Sequence, residues 1–285
     1  MVDNIETKIR ILQKTCKNIL FLCSMKKEME EFERRFAALL SGSTLPMDEV
    51  LRHVGAVSGK RLRPRLVFLS AGLLGEVNDA ARRTAMFVET LHTATLIHDD
   101  VVDQSVTRRG QASVHARWDN MTAVLAGDYL LSKAMLQLAD PSDHLILKEM
   151  LTATLAMSEG ELLQLRGEHG AVQNYLDIIT RKTAMLIRAC CVGGALAAMG
   201  EKTEDRSQKT ELVGEFGLNL GLVFQMRDDI LDHDDAETSA LAEKMLPEYL
   251  DKALKALDTL APYAVNAEAL ASLRELTVFC AKRNG

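Results

Sequence analysis

Apolar residues recur along this chain at spacings of three and four rather than two. Leu212, Phe216, Leu220 and Val223 stand 4, 4 and 3 residues apart, which puts them on one face of a helix. Leu91, Ala94, Thr95, Ile97 and His98 run without a breaker into the acidic residues 99–103. No sustained alternation of the kind that marks a half-buried strand occurs. Punctuation falls at Ser41–Ser43, Gly75–Asn78, Asp140–Ser142, Gly167–Gly170 and Gly200–Thr203, with segments of helical length between. The pattern predicts a single all-α domain, 1–285, of about ten or more helices joined mostly by short loops. There is no repeat of solenoid period. Gly214, Gly217 and Gly221 share a face of a predicted helix. Each costs roughly 1 kcal/mol against alanine there, so another helix is expected to pack closely on them.

Composition sharpens this reading. The 285 residues include 5 prolines, where average usage would give roughly 14, and proline stops helices. Hydrophobic residues make up 47% and charged residues 26%, which excludes disorder and collagen-like repeats. The net charge of −6 argues against a nucleic-acid binder relying on bulk positive charge. Cys16, Cys23, Cys190, Cys191 and Cys280 include no C-x-x-C pair, so neither a disulfide framework nor structural zinc is expected and a reducing cytoplasm fits. The apolar run at 19–23 is too short to span a membrane, and residues 1–6 lack the layout of a signal peptide.

The acids are not spread evenly. His98-Asp99-Asp100-Val101-Val102-Asp103 carries D-D-x-x-D. Asp99 and Asp103 share a helix face one turn apart, with Asp100 offset. Like charges so placed weaken a helix, and Mg²⁺, typically held by one or two carboxylates plus substrate phosphates, would relieve them. Alone, the motif could be a solvated acidic face. However, Gln225-Met226-Arg227-Asp228-Asp229-Ile230-Leu231-Asp232 repeats it, and both copies follow apolar residues. If the two helices face each other, six carboxylates converge and roughly three divalent ions fit between them and a polyanion.

Bases come in short clusters: Gly59-Lys60-Arg61-Leu62-Arg63-Pro64-Arg65, Arg108-Arg109-Gly110 and Arg181-Lys182-Thr183. Guanidinium grips phosphate oxygens in bidentate fashion and Lys adds a point charge. With the acid motifs they suggest two anion sites, one bridged by magnesium and one metal-free. His92, seven residues before Asp99, shares its face and suits a phosphate contact. His98 receives no role, and His115 and Trp118 read as packing.

These residues resemble the trans-isoprenyl diphosphate synthases, or polyprenyl synthetases. The resemblance rests on Gly59–Pro64, Glu89–Arg109, Gly127-Asp128-Tyr129-Leu130-Leu131, Glu159-Gly160-Glu161-Leu162-Leu163-Gln164, Arg181–Ala184 and Phe224–Asp232, in family order over roughly residues 55–235. It implies a large helical bundle around a deep central cavity (the isoprenoid synthase fold) and a homodimer. It implies Mg²⁺-dependent, head-to-tail condensation of isopentenyl diphosphate onto an allylic diphosphate, with about three ions. Lys60, Arg63, His92 and Arg109 match the isopentenyl diphosphate ligands. Arg108, Lys182, Thr183 and Gln225 match residues around the allylic diphosphate, the last three also carrying the catalytic assignment. Asp99, Asp103, Asp228 and Asp232 match metal ligands, with Asp229 close by.

In this family, bulky aromatics four or five residues before the first acidic motif block the growing chain. Here Ala94 and Thr95 stand there, which resembles medium- to long-chain members; Met135 or Leu131 would form a deeper floor. A short-chain synthase, a class I terpene cyclase and a non-catalytic synthase-like subunit are the alternatives. The expected partners are the two diphosphates, with loose membrane association for product release and no nucleic acid. One departure concerns the segment after Asp232. The family's Gly-Lys-rich loop and Lys-Thr/Ser-Leu-Pro stretch are missing near 237–238. The flanks read naturally, which implies a loop left out of the sequence. A true deletion would remove closure lysines from the allylic site.

Overall fold

The computed structural model describes residues 25–41, 44–57, 59–166, 172–200, 205–232 and 235–283. Cys16, Cys23, the apolar run 19–23, residues 42–43, the breaks at 167–170 and 201–203, and residues 233–234 lie outside them. Residues 25–39 form α1. There follow α2 (Leu45–Gly55), α3 (Leu62–Leu74), α4 (Asp79–Val102), a hairpin of β1 (Thr107–Arg108) and β2 (Gln111–Ala112), α5 (Val114–Arg117), α6 (Asn120–Gln137), α7 (His144–Leu165) and α8 (Val172–Ile179). After a π turn at Thr180–Ala184 come α9 (Met185–Ala198), α10 (Arg206–Asp232), α11 (Ala236–Leu260) and α12 (Ala267–Lys282).

Asn and Asp start several helices by accepting orphan backbone N–H groups. Asn78 accepts from Ala81 (3.0 Å), Asp119 from Thr122 (2.6 Å), Asp235 from Thr238 (2.9 Å) and Asn266 from Glu268 (3.0 Å). The Asp235 cap places residues 237–238 in the first turn of α11.

Helix α9 is apolar nearly all round, which marks a buried helix. It packs against α3, α4, α7 and α10, and its residues from Leu186 to Ala195 are almost all buried. The glycines of α10 account for the fit. A Cβ at Gly221 would lie 2.5 Å from the Ala184 Cα, and one at Gly217 2.8 Å from the Arg188 Cα. The close packing expected from the sequence is therefore found, with α9 and the π turn as the partner. Cys190, Cys191 and Cys280 are buried free thiols. His115 hydrogen-bonds the Ser105 carbonyl (2.9 Å) and Trp118 packs on the core. No described helix is long and apolar enough to cross a membrane.

Candidate active site

The first acidic motif occupies the last turn of α4, where the 3.6-residue repeat separates its acids. Asp99 is half-buried and Asp103 exposed. Burial pushes the Asp99 carboxyl up to about 6, the nearby Glu161 charge adding to the rise while Lys182 opposes it. Asp100 turns inward, 3% exposed, and accepts from Arg108 Nε at 2.9 Å. Asp100 thus anchors the hairpin, whose tip residues Arg109 and Gly110 both have positive φ, 52° and 82°, as the favoured two-residue turn requires. The tip brings Arg109 against Gly59, where a Cβ would meet its guanidinium at 2.7 Å.

The second motif ends α10. Asp229 is held twice: Tyr175 Oη donates to Oδ2 (2.7 Å) and Gln225 Nε2 to Oδ1 (2.8 Å). Gln225 Oε1 accepts from Thr183 Oγ1 at 2.7 Å. Asp228 is ion-paired with Arg283. Burial raises the pKa of both Asp228 and Asp229. Lys182 and Thr183 project from the π turn, a distortion common at functional sites. Lys182 Nζ bridges Glu161 (2.6 Å) and Gln164 (2.9 Å). Arg181 pairs instead with Asp177 (2.8 Å), one turn back along the helix, and with Glu159.

Lys182 and the second motif border one cavity of about 610 Å³. Gln164, Tyr175, Thr183, Gln225, Asp229 and Asp232 also line it, with Ile178, Ile179 and Leu241 as apolar wall.

A separate basic cluster lies between α3, α4 and the hairpin. Arg61, at the start of α3, is held by Glu33 Oε1 (2.9 Å) and Glu89 Oε1 (2.8 Å), so it ties α1 to α4. The Arg63 Nε is enclosed and unpartnered, and burial lowers the pKa of that guanidinium. Burial, with Arg63, Arg109, Arg108 and Arg61 adding to it, holds the His92 imidazole well below its usual pKa and therefore neutral. An enclosed guanidinium nitrogen lacking a partner is costly unless an anion arrives. Lys60 and Arg63 also lie close enough to Asp228 to feel its charge, so the basic cluster adjoins the second acidic motif.

Among the described residues, no three acids, histidines or cysteines form a ready-made metal cage. Asp99, Asp103, Asp228 and Asp232 nevertheless fit Mg²⁺, which takes oxygen ligands and relies on substrate phosphates for the rest. Burial keeps the pKa of Asp99 and Asp228 raised even with Lys182 and Arg283 acting on them, so further positive charge would favour the ionised carboxylates.

A profile of the polyprenyl synthetase family matches residues 46–244. The chain belongs to the polyprenyl synthetase family. It is 42% identical over 194 residues to an all-trans-nonaprenyl-diphosphate synthase (geranyl-diphosphate specific) of Rhodobacter capsulatus, covering 66% of this chain and 58% of that one. It is 33% identical over 221 residues to an octaprenyl diphosphate synthase of Haemophilus influenzae, covering 76% and 65%. These matches span about three-fifths of the relatives' length. A polyprenyl synthase structure from Caulobacter crescentus, complexed with calcium and isoprenyl diphosphate, superposes with a TM-score of 0.76 at 28% identity, covering 91% of this chain and 96% of that one. The all-α isoprenoid synthase fold expected from the polyprenyl synthetase motifs is the fold found.

The structure gathers Lys182, Thr183 and Gln225 with the second motif, and Arg63, His92 and Arg109 with one another. Arg108 is turned to Asp100. Ala94 is buried in the core, Thr95 is half-buried with Oγ1 donating to the His92 carbonyl (3.0 Å), and Met135 is 40% exposed. Leu131 packs against the core. Tyr175 and Arg283 belong to no motif in the sequence, and neither was expected at the site. Glu161, within the motif 159–164, meets Lys182 at the site.

Proposed function

We propose that this chain is a magnesium-dependent prenyltransferase that condenses isopentenyl diphosphate head-to-tail onto an allylic diphosphate, giving an all-trans polyprenyl diphosphate of medium to long chain. The observation that carries this reading is the adjacency of two differently dressed anion sites. One is a cluster of arginines around a neutral histidine, with the Arg63 Nε unpartnered. The other is a cavity bordered by carboxylates and Lys182.

In this reading Lys60, Arg63, His92 and Arg109 hold the diphosphate of isopentenyl diphosphate without metal. Arg108, Lys182, Thr183 and Gln225 serve the allylic diphosphate. About three Mg²⁺ ions, held by Asp99, Asp103, Asp228 and Asp232, would supply charge neutralisation for the leaving diphosphate. Lys182 adds a fixed positive charge where negative charge develops. Ile178, Ile179 and Leu241 give that cavity an apolar wall, which would help to keep water from the allylic cation. The π bond of isopentenyl diphosphate attacks that cation, and the proton then lost passes to the departed diphosphate. His92 is committed to the basic cluster and no separate base is invoked.

Small Ala94 and Thr95 support a product longer than that of a short-chain synthase. The homodimer is supported by large apolar side chains left exposed on α6, where Met121 is 74% and Leu136 71% exposed, and on α7, where Leu155, Leu162 and Leu165 are exposed. A cytoplasmic location and loose membrane association for product release belong to the same reading.

Incubation with Mg²⁺, isopentenyl diphosphate and farnesyl diphosphate, followed by sizing of the products, tests it. Linear prenyl diphosphates longer than geranylgeranyl diphosphate are expected. A cyclic hydrocarbon, or no turnover by the folded protein, would overturn it.

A further inference from the structure

We propose that Tyr175 is a positioning residue: by claiming one oxygen of Asp229 it fixes which way the Gln225 amide faces, and through it the Thr183 hydroxyl. This inference rests on the prenyltransferase reading for its kinetic consequence, although not for its geometry.

Three hydrogen bonds run in series across α8, α10 and the π turn. Tyr175 Oη donates to Asp229 Oδ2 (2.7 Å), Gln225 Nε2 donates to Asp229 Oδ1 (2.8 Å), and Thr183 Oγ1 donates to Gln225 Oε1 (2.7 Å). The direction of each follows from the one before. An ionised carboxylate only accepts, so the amide must present Nε2 to Asp229. Its oxygen then faces Thr183, which has one hydrogen and spends it there. The Thr183 lone pairs are left for the cavity that all four residues line. Burial and the hydrogen bond to Asp229 raise the Tyr175 pKa, so the phenol stays a donor.

The backbone holds the same node in place. The Asp229 carbonyl accepts from Ser239 Oγ of α11 at 2.7 Å. Without the phenol hydroxyl, Asp229 Oδ2 is left without its partner and the carboxylate is free to rotate toward the cavity. The amide then loses the fixed acceptor that set its orientation, and Thr183 is no longer held.

Tyr175→Phe removes only the hydroxyl. The expected result has three parts. Turnover falls roughly ten- to a hundredfold, the scale of a misplaced catalytic group. The KM for isopentenyl diphosphate and the melting temperature stay unchanged. In the ligand-free protein, the Gln225 side-chain amide resonances, assigned by their loss in Gln225→Glu, shift. Unshifted resonances would overturn the proposal, as would a turnover loss matched by a fall in melting temperature. Should the wild-type chain prove inactive, the prenyltransferase reading fails while the resonance shift still decides the role of Tyr175.

Discussion

Arg283 closes on Asp228, its guanidinium stacked 4.3 Å from the Phe224 ring centroid. Its own carbonyl accepts from Arg227 Nε (2.8 Å) and Nη2 (2.7 Å). A carboxylate assigned to magnesium is thus counter-charged by the protein itself. Arg283→Gln removes a cation that competes for Asp228, so the Mg²⁺ concentration at half-saturation should fall severalfold. Calorimetric titration with Mg²⁺ and an unreactive allylic diphosphate analogue checks this, and an unchanged or raised requirement contradicts it.

Asp99 should set a pH-dependent stability. Its folded-state pKa is raised from 3.8 to about 6. Between those values the native state keeps a proton that the unfolded chain has lost, so the stability it contributes is present at low pH and is lost as pH rises through about 6. Asp99→Asn should therefore stabilise the metal-free protein at pH 8 by about 1–2 kcal/mol, allowing for solvent screening. The gain should vanish at pH values below 3.8, and turnover should fall by orders of magnitude. Denaturant melts across the pH range check the sign, and a gap independent of pH would refute it.

Arg108→Gln should destabilise the fold by about 3 kcal/mol, because it strands the buried Asp100 carboxylate. The double variant Arg108→Gln/Asp100→Asn should recover most of that loss. Urea unfolding of the two variants measures both quantities. Equal stability of single and double variants would contradict the pairing of Arg108 with Asp100 as the hairpin's anchor.

Gly221→Ala should cost about 1–3 kcal/mol through overpacking, despite the better helix propensity of alanine. Its Cβ would stand 2.5 Å from the Ala184 Cα. The strain falls between α10 and the π turn, so turnover should drop along with the melting temperature. A stabilised, fully active variant would show that the helices are not in such close contact.

The bundle and both acidic motifs were legible because their signals are local. Asp99 and Asp103, like Gln225 and Asp229, are paired by helical spacing alone. The division of labour among the acids was not legible. Asp100 and Asp229 read like their neighbours in the sequence, yet Arg108 takes one, and Tyr175 and Gln225 take the other. Tyr175 and Arg283 reach their carboxylates from 54 and 55 residues away, and no periodic pattern encodes such pairs. The hairpin at Thr107–Ala112 has two-residue strands, too short to show alternation. The π turn likewise leaves no mark on the apolar spacing.

At the centre of the proposed function, two diphosphates are bound differently, one by protein cations alone and one through metal. Calorimetry with isopentenyl diphosphate and with an unreactive allylic diphosphate analogue, each with Mg²⁺ and with a chelator, tests this most directly. Isopentenyl diphosphate should bind equally well in both conditions, and the allylic analogue only with Mg²⁺. An equal dependence of both ligands on the metal would contradict the assignment of two distinct anion sites.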